Sequence, residues 1–498
     1  MKQRLIGVDS GGTVTKVALF DLTGSEVACE SRKVALSTPN QGFTERDPND
    51  LWNATADAIK TLLEKTETQA KDILAIAPTG FGCGGFFLDG KGRPSRPGIV
   101  STDTRASNMV ASFYSDGAAY PAEKEGCTRI LPGHTSSLMA WLQVNEKNSC
   151  QNTSHVLWCK DYLRFRLTGN IATDYSDATC PGLWNYKKDE WSSTVFESLG
   201  ISSWLSRMPD VQAATDIAGY VHQQAALETG LMEGTPVATS AYDIVSTSLA
   251  SGIIGPEQMG LIGGTFAIAS LLSPSLRNSN LPNHQSAYPF GSLYISSSAS
   301  ATSGSNLEWF IEKILFGLND LTIEKSELYS KINGLVSDAS SEYKSIYFMP
   351  YLFSKESLGL FGVTASDNLS DILCAIFRGI ICAHKIDVEQ LVGGDNSVSL
   401  KNIRLAGGIS KSDIWAQMYA DAFNLPVEIP SGGEFGAKGA AMCAAVAVGA
   451  FDNMGDALNA MVSVERRFLP AKEEVEKLEQ YFGQFQSCKK NIEDISYM

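Results

Sequence analysis

The sequence predicts an α/β protein with two domains, and three observations lead to this prediction. The chain has 498 residues, 44% of them hydrophobic, which is more than one hydrophobic core usually serves. Apolar runs that end in Gly-rich or Asp-rich turns alternate with segments of helical periodicity. A strand, Gly-Gly-Thr turn, strand pattern occurs at residues 11–13 and again at 263–265. This repeat indicates an internal duplication, with chance recurrence of the tripeptide in a chain of 44 glycines as the alternative.

Turns and caps predict the elements of the first half. The segment RLIGVDSGGTVTKVALFDLTGSEVACESRKVAL alternates apolar runs with the turns DSGG and DLTGSE, which predicts three antiparallel strands. Asp47 as an N-cap and Pro48 at the first helical position predict a helix. The segment DILAIAPT predicts a buried strand, and SHVLWCKDYLRFRLTG predicts a strand followed by a helix.

Glycines follow the buried strand in the spacing G-x-G-x-x-G. Gly80, Gly82 and Gly85 carry the spacing, and Asp103 lies roughly 20 residues beyond, as in a dinucleotide-binding fingerprint. Such a fingerprint must open a helix, because the helix N-terminus holds the pyrophosphate. Here FFLDGKGRPSRPGIV follows, which predicts another strand and a hairpin instead. We therefore interpret the glycines as a close approach of the backbone to a substrate, with an NAD-dependent oxidoreductase as an alternative.

The second half repeats the strand and helix logic. The segment EQMGLIGGTFAIASLLS predicts a second hairpin, and the Ser-rich ATSGSNLEWFIEKIL predicts a loop that enters a helix. Residues 402–451 predict a strand, a Gly-Gly loop, a capped helix, a short strand, a glycine turn and an alanine-rich helix. The charged amphipathic segment AKEEVEKLEQYFGQFQSCKKNI predicts a helix at the surface.

Composition limits the partners and the compartment. The formal net charge is −15 and the pI is near 4.9, which argues against a nucleic-acid or anionic-membrane surface. The apolar run at the start is too short for a signal peptide, and no stretch reaches the length of a membrane span. The ten cysteines are scattered, as in reduced thiols of a cytoplasmic protein. We therefore expect a cytoplasmic protein without membrane or nucleic-acid partners.

The segment GVDSGGTVTK is the first candidate for phosphate chemistry. A carboxylate at the end of a strand, followed by a glycine turn, can supply a magnesium ligand and backbone amides for a phosphate. This assigns Asp9 to the metal side, Gly11, Gly12 and Thr13 to the phosphate cradle, and Lys16 to a nearby cation. The alternative is a plain hairpin turn capped by Asp9. No G-x-x-x-x-G-K-[ST] motif occurs, so a P-loop is excluded.

Two further segments carry candidate groups. In GTPVATSAYDIVSTSLASG, Asp243 closes an apolar strand and precedes a helix of small residues, where it can act as a general base on a substrate hydroxyl or serve only as an N-cap. In RLAGGISKSDIWAQMYAD, two glycines lie between a strand and a helix, where the backbone can approach an adenine or ribose. A simple strand-to-helix turn is the alternative there.

In combination, these segments resemble the FGGY family of carbohydrate kinases over nearly the whole chain. IGVDSGGTVTKVALFDLTG is similar to the first phosphate motif, and GFTERDPNDLW to the Gly-aromatic-x-Glu-x-Asp-Pro segment. KDYLRFRLTGNIATDYSDATCPGLWN is similar to the Lys-Asp-Tyr-Leu run with its Thr-Gly and Asp-x-Ser-x-Ala elements. YDIVSTSLASG resembles the catalytic aspartate region, and GGTFAIAS the second phosphate motif. LAGGISKSDIWAQMYADAFNLPV and EFGAKGAAMCAA resemble the adenosine site.

The resemblance implies two duplicated actin-like, ribonuclease H-like ATPase domains around a central cleft, at residues 1–245 and 246–498. It implies phosphoryl transfer from ATP, with Mg²⁺, to a sugar or polyol hydroxyl. Asp243 would be the base and Asp9 would lie on the magnesium side. The remaining ATP contacts that the resemblance implies are Thr13, Gly264 and Thr265 at the β and γ phosphates, and Gly407, Gly408, Ser412 and Glu434 at the nucleoside.

Two family signatures are altered without loss of an obvious catalytic group. Leu138 stands where a lysine is usual in the Gly-x-x-x-Trp-Leu segment, and Arg378 stands where an acidic residue is usual in the second signature. These departures affect the assignment to a subfamily more than the expected activity.

The sugar segment departs further from the xylulose kinases. The xylulose kinases resemble one another in a Gln-Met-His-Gly segment, and Cys83 and Gly84 of FGCGG stand in its place here. The segment STDTR retains Asp103 and Arg105. The Gly-His pair at His134 and the segment SGSNLEWF are similar to the L-xylulose kinase branch. The expected substrate is therefore a ketopentose such as L-xylulose or a related keto sugar acid.

Alternatives remain for these residues and for the whole chain. His134 can be a solvated loop residue, Asp103 and Arg105 can form a surface ion pair, and Cys83 can be a buried small residue without substrate contact. The chain can instead phosphorylate a polyol such as glycerol or erythritol. From a different class, it can be an actin-like or chaperone-like ATPase. A homodimer is expected from family habit.

Overall fold

A computed structural model describes residues 3–264, 266–315, 325–339, 343–352, 359–393 and 399–496. Its contacts divide the chain into two compact units, each built from several stretches of sequence. The first unit comprises Met1–Ile254, Ser273–Ser296 and Gly432–Ser463, and the second comprises Gly255–Leu272, Ser297–Ser431 and Val464–Met498. The boundary between residues 245 and 246 stays a prediction.

The strands are short, and most lie in two large sheets. They are β1 Arg4–Ser10, β2 Val14–Phe20, β3 Glu26–Lys33, β4 Glu45–Arg46, β5 Ile73–Gly80, β6 Phe86–Leu88, β7 Gly98–Ile99, β8 His155–Leu157, β9 Ala172–Asp174, β10 Trp184–Asn185, β11 Glu190–Trp191, β12 Asp210–Gln212, β13 Ile217–Tyr220, β14 Pro236–Ala238, β15 Gln258–Gly263, β16 Ala267–Ser273, β17 His284–Tyr288, β18 Leu293–Ser300, β19 Tyr347–Met349, β20 Gly359–Phe361, β21 Asn402–Gly407, β22 Val427–Pro430 and β23 Val464–Phe468.

The helices range from single turns to long surface helices. They are α1 Pro48–Lys65, α2 Ser107–Ser115, α3 Ala119–Gly126, α4 Thr135–Asn145, α5 Lys147–Asn152, α6 Cys159–Thr168, α7 Tyr175–Thr179, α8 Ser193–Ser198, α9 Gln223–Thr229, α10 Asp243–Ala250, α11 Gly304–Trp309, α12 Lys325–Ala339, α13 Leu369–Val392, α14 Asp413–Phe423, α15 Phe435–Ala447, α16 Met454–Met461 and α17 Lys472–Ser496. None of the described helices combines the length and apolarity needed to cross a bilayer.

The first unit is built on a six-stranded sheet of order β13-β14-β5-β1-β2-β3. β1, β2 and β3 pair antiparallel as predicted, and β5 lies parallel to β1 on its other side. The register places Asp9 opposite Lys16 on β2 and opposite Thr79 on β5. The apolar side chains of β1, including Leu5 and Val8, are fully buried, so the end of this central strand is held in a fixed position.

Small residues bring helix α15 against this sheet. A Cβ on Gly7 of β1 would lie 1.8 Å from the carbonyl oxygen of Ala437, and one on Gly439 would lie 2.0 Å from the carbonyl oxygen of Ser246 in α10. Only hydrogen fits in these gaps. The alanine-rich helix predicted from the sequence is confirmed, and it belongs to the core of the first unit.

The second unit repeats this topology. Its sheet contains the order β18-β16-β15-β21-β22-β23, with β15 antiparallel to β16, parallel to β21, and Gly263 opposite Gly407. In both units a central strand has a hairpin partner on one side and two parallel strands on the other, and the outer parallel strand pairs with an antiparallel edge strand. The predicted duplication therefore extends from the Gly-Gly-Thr turns to the whole sheet.

Local signals predicted several elements at the residue level. Asp47 caps α1 by accepting a hydrogen bond from the Asn49 amide, and Pro48 is its first residue. The glycine run after β5 leads into strand β6 rather than a helix, and β6 pairs with β8. The dinucleotide fingerprint is therefore a coincidence of spacing, because no helix N-terminus follows Gly85 to hold a pyrophosphate.

The charged segment near the carboxyl end forms helix α17 as predicted. Its apolar side buries Tyr481, Phe482 and Phe485 against Met349 and Cys382 in the second unit. A helix with this polarity buries one stripe and exposes the rest.

Candidate active site

The first Gly-Gly-Thr turn links β1 to β2 in the first unit. The Gly11 amide donates to the Val14 carbonyl at 3.0 Å, so it is used inside the turn. Gly12 and Thr13 are exposed, and a Cβ on Gly12 would have no neighbour within 4 Å. The exposed part of the predicted cradle is therefore Gly12 and Thr13, with Gly11 shaping it.

A buried arginine that the sequence analysis missed lies behind this turn. Arg46 donates through Nη2 to the carbonyl oxygens of Gly11, at 3.1 Å, and Gly12, and Nη1 lies 3.4 Å from Ser10 Oγ. Its side chain is fully buried beside the ring of Phe81, and burial lowers its pKa. Because both carbonyls are held on the inner side, the turn keeps one orientation. The signal was available, since Arg46 lies within the family segment GFTERDPNDLW.

Asp9 lies at the end of β1 beside the same turn. Its side chain is packed against the first turn of α15, where a Cβ on Gly436 would lie 2.2 Å from Asp9 Oδ2. Burial raises the pKa of Asp9 to about 6, the nearby Lys16 opposes this rise, and the charge of Glu434 adds to it. A partly buried carboxylate with a raised pKa gains from a bound cation.

Lys16 and Glu434 form an ion pair within the first unit. Lys16 Nζ donates to Glu434 Oε2 at 2.8 Å and to Oε1 at 3.1 Å. Burial lowers the pKa of Lys16, but the hydrogen bond and the charge of Glu434 outweigh burial, so the pKa is raised overall. Glu434 was predicted at the nucleoside, whereas its carboxylate binds this lysine and lies close enough to Asp9 to affect its pKa. Nucleoside contact by Glu434 stays a prediction.

Asp243 is the first residue of α10, and Tyr242 is the N-cap. The alternative that Asp243 is only the N-cap is therefore wrong, and so is the statement that it closes a strand, because β14 ends at Ala238. Asp243 Oδ1 accepts a hydrogen bond from the Ile244 amide at 2.7 Å. Burial and then the charge of Asp9 raise its pKa well above the ordinary value for an aspartate. Raised carboxylate pKa values are typical of catalytic bases.

The FGCGG segment forms a left-handed turn after β5. Cys83 and Gly84 have φ of 61° and 66°, and the Gly84 amide donates to the Gly133 carbonyl at 2.9 Å. A Cβ on Gly84 would lie 2.4 Å from the carbonyl oxygen of Ile99, so only glycine fits. The turn thereby brings Cys83 next to the Gly133-His134 pair.

His134 is buried, so the alternative that it is a solvated loop residue is wrong. Its Nε2 lies 3.3 Å from Nδ1 of His284, and Cys83 Sγ lies 3.4 Å from Cys180 Sγ. Burial and His284 lower the pKa of His134 well below its ordinary value. The hydrogen bond from Cys83 lowers the pKa of Cys180 to about 5, while the pKa of Cys83 is raised. His284 and Cys180 were missed because the chain brings them in from distant segments.

Asp103 and Arg105 form a buried ion pair, so the surface alternative is wrong. Arg105 Nε and Nη2 donate to Asp103 Oδ1 and Oδ2, each at 2.9 Å, and both side chains are fully buried. Arg105 Nη2 also donates to Glu45 Oε1 at 2.8 Å, and Asp103 Oδ2 accepts the Thr44 amide at 2.6 Å. The pair therefore ties STDTR to the segment that carries Arg46. Contact of either residue with a sugar stays a prediction.

The Lys-Asp-Tyr-Leu run forms a buried charge network in the first unit. Lys160 Nζ lies 2.6 Å from Asp161, 2.9 Å from Asp174 and 3.2 Å from Asp177, all through carboxylate oxygens. Arg164 adds a contact of 3.2 Å to Asp161. Buried charges need such paired partners. The network joins α6, β9 and α7 and so places the residues that follow α7.

A cavity of about 1040 Å³ lies within the second unit. Gly264, Gly408 and Ser412 line it, and Thr265 lies outside the described residues. Contact of these residues with a nucleotide stays a prediction. Gly407 is adjacent, with a φ of 87°, and a Cβ there would lie 2.5 Å from the Gly263 carbonyl oxygen. Gly407 therefore serves the turn itself, because an L side chain there would be strained.

Aromatic and amide side chains complete this cavity and were missed by the sequence analysis. Phe377 and Trp415 stack with centroids 4.2 Å apart, and Asn333 Oδ1 accepts a hydrogen bond from Ser412 Oγ at 2.8 Å. Ser412 Oγ also accepts the Trp415 amide and caps α14. A concave, partly aromatic cavity with a few polar groups is typical of a site for a small molecule.

Comparison with known proteins identifies both halves of the chain. Residues 4–250 match the N-terminal domain of the FGGY family of carbohydrate kinases, and residues 262–448 match its C-terminal domain. A "Probable L-xylulose kinase" of Pasteurella multocida is 32% identical over 448 residues, covering 88% of this chain and 89% of that protein. The "L-xylulose/3-keto-L-gulonate kinase" of Escherichia coli is 29% identical, covering 94% of this chain and 93% of that protein.

Solved structures confirm the fold class. The xylulose kinase from Rhodospirillum rubrum superimposes with a TM-score of 0.86 at 21% identity, covering 100% of both chains. Plasmodium falciparum glycerol kinase, solved with ADP, superimposes with a TM-score of 0.84 at 17% identity and covers 98% of each chain. The comparisons favour an ATP-dependent sugar kinase over the actin-like or chaperone-like ATPase. The two family matches, the relatives and the repeated sheet agree, and the chain belongs to the FGGY family of carbohydrate kinases.

Proposed function

We propose that this kinase transfers the γ-phosphoryl group of ATP to a hydroxyl of L-xylulose or of a related keto sugar acid. The names of the Pasteurella multocida and Escherichia coli relatives support this substrate class. The left-handed FGCGG turn supports it as well, because it replaces the segment that xylulose kinases share. A polyol kinase is disfavoured because the similar relatives act on ketoses by name.

The observation that carries the chemistry is the placement of Asp243 at the first position of α10, buried enough and close enough to Asp9 for its pKa to be raised. Asp243 Oδ1 is engaged by the Ile244 amide, which leaves Oδ2 to accept the proton of the sugar hydroxyl. Burial and the neighbouring carboxylate make Asp243 a stronger base than an ordinary aspartate. Such a base contributes as the hydroxyl oxygen begins to bond to phosphorus.

The phosphate side of the proposal uses the exposed turn and Asp9. The amides of Gly12 and Thr13 would face phosphate oxygens, and Arg46 holds the turn in place from behind. The Asp9 carboxylate supplies an oxygen ligand of the type that Mg²⁺ prefers. Because burial raises the pKa of Asp9, a bound cation would stabilise its charged form. Bound Mg²⁺ would neutralise charge on the β and γ phosphates.

The nucleoside side of the proposal uses the cavity of the second unit. The backbone at Gly264 and Gly408 allows close approach, while Trp415 and Asn333 offer a ring face and an amide. We also propose that the kinase is cytoplasmic and forms a homodimer, and that its domain boundary lies between residues 245 and 246.

A coupled assay of ATP consumption tests the substrate. The purified kinase would be tested with L-xylulose, D-xylulose, 3-keto-L-gulonate, glycerol and erythritol in the presence of Mg²⁺. We expect the highest kcat/KM with L-xylulose or 3-keto-L-gulonate, loss of turnover in Asp243→Asn, and normal turnover in the exposed control Asp452→Asn. A preference for glycerol or erythritol would refute the substrate class.

A further inference from the structure

Four soft ligand atoms converge in the interior of the first unit. The cluster consists of Cys83, Cys180, His134 and His284, and we call it the Cys-His cluster. We propose that the Cys-His cluster is a binding site for a soft or borderline divalent metal ion of the Zn²⁺ class. Thiolate and imidazole are the ligands that Zn²⁺ takes in proteins, usually as four in a tetrahedron.

Three distances within the Cys-His cluster fit a tetrahedral metal site. Around a tetrahedral Zn²⁺, with Zn–S near 2.3 Å and Zn–N near 2.0–2.1 Å, neighbouring ligand atoms lie about 3.3–3.8 Å apart. The two sulfurs of Cys83 and Cys180 are 3.4 Å apart, the two imidazole nitrogens 3.3 Å apart, and Cys180 Sγ lies 3.7 Å from His284 Nδ1. The ligand atoms of Cys83, His134 and His284 all lie within 4.8 Å of one another. Cys180 Sγ contacts two members of this triad, Cys83 Sγ and His284 Nδ1, and is the candidate fourth ligand.

The surroundings hold the ligands without using up all of their polar atoms. His134 is buried, and among the described residues its Nδ1 has no hydrogen-bond partner. Metal binding requires a neutral imidazole and a thiolate, so binding would release the thiol protons. Cys83 and His134 are also predicted sugar contacts, so a metal ion in the Cys-His cluster would lie at the predicted sugar site.

Each ligand is placed by a separately anchored segment. The Gly84 carbonyl next to Cys83 accepts a hydrogen bond from Thr135 Oγ1 at 2.8 Å. Cys180 follows α7, where Thr179 Oγ1 accepts the Ala287 amide of β17 at 3.1 Å. That bond ties the segment of Cys180 to the strand that begins at His284. Ligands held on a rigid frame bind metal with little reorganisation.

Cobalt substitution tests the proposal without any assay of catalysis. The reduced, metal-free full chain would be titrated with Co²⁺ under anaerobic conditions, and Zn²⁺ retained after dialysis would be measured by mass spectrometry. We expect one metal ion per chain, the intense visible absorption of tetrahedral Co²⁺, and a thiolate-to-cobalt charge-transfer band that Zn²⁺ abolishes. Binding of Co²⁺ without these bands would overturn the proposal.

Matched variants locate the site. Cys83→Ser and Cys180→Ser should each weaken the charge-transfer band, and the double variant should lose it, whereas Cys488→Ser in α17 should keep it. His284→Gln, which leaves both cysteines in place, should weaken Co²⁺ affinity by about 10-fold or more, and its fold is checked by circular dichroism. Full binding in the double variant, or no binding of Co²⁺ by the reduced parent protein, would refute the site.

Discussion

Replacing Arg46 by methionine should impair the use of ATP more than the binding of sugar. Arg46 is buried and donates to the Gly11 and Gly12 carbonyls behind the exposed phosphate turn. A hydrogen bond from a charged group contributes about 1.5 kcal/mol or more, so two such bonds correspond to about 3 kcal/mol. At about 1.4 kcal/mol for each factor of ten, kcat/KM for ATP should fall about 100-fold.

The assay is steady-state kinetics with each substrate varied in turn. A residue that positions the turn should change kcat and KM for ATP while KM for the sugar stays near its normal value. Arg46→Lys should be intermediate, because one ammonium group is a point donor and lacks the planar fork that reaches two carbonyls. The matched control is Arg93→Met, an exposed arginine that pairs with Asp89. Normal kcat/KM for ATP in a folded Arg46→Met would refute the reasoning, and an equal rise in KM for ATP and for the sugar would contradict a role at the phosphate turn.

Four further outcomes are expected. Asp243→Asn should lower kcat by about 10²-fold or more and leave ATP binding measured by calorimetry intact, and near-normal turnover would remove Asp243 as the base. The pKa of folded Asp9 is raised to about 6, so its protonation stabilises the folded state fully below the ordinary aspartate pKa, and this stabilisation is lost as pH rises through about 6. Asp9→Asn should therefore have a higher melting temperature than the parent at pH 8 but not at pH 4. Equal shifts in melting temperature at both pH values would contradict this. Gly7→Ala should lower the free energy of unfolding by about 1–3 kcal/mol, because its Cβ would meet the Ala437 carbonyl. The control Gly334→Ala in α12 has open space for a Cβ and should not destabilise the protein. Equal losses of unfolding free energy in urea for both variants would count against the packing argument. Zn²⁺ in slight excess should inhibit sugar phosphorylation reversibly in the presence of Mg²⁺, because Cys180 lies close enough to Asp243 to affect its pKa. Normal turnover in a protein shown to bind Zn²⁺ would separate the metal site from catalysis.

Local signals in the sequence were sufficient for several elements. The turns DSGG and DLTGSE define the β1–β3 hairpins, and Asp47 with Pro48 begins α1 where predicted. These features depend on neighbouring residues, because a cap or tight turn is decided by hydrogen bonds within a few positions. The absence of a helix after Gly85 was predictable for the same reason.

Burial and long-range pairing were not accessible to such reasoning. Lys16 and Glu434 are 418 residues apart in sequence and form an ion pair, and Asp103 with Arg105 is buried rather than exposed. Sequence spacing does not report whether a charged side chain faces water, since that depends on what packs over it. The alternative that made Asp243 the N-cap placed the start of α10 one residue too late, because the cap is Tyr242 and helix ends vary by a residue or two.

The sequence by itself determined the α/β duplication, the order of the family motifs and the candidate groups Asp9, Gly12 and Asp243, because each is recorded in local pattern and turn chemistry. Only the tertiary structure decided that Arg46 lies behind the phosphate turn and that segments around Cys83, His134, Cys180 and His284 meet in one cluster. The physical reason is that packing of separate chain segments brings together groups whose distance in sequence carries no information about their distance in space.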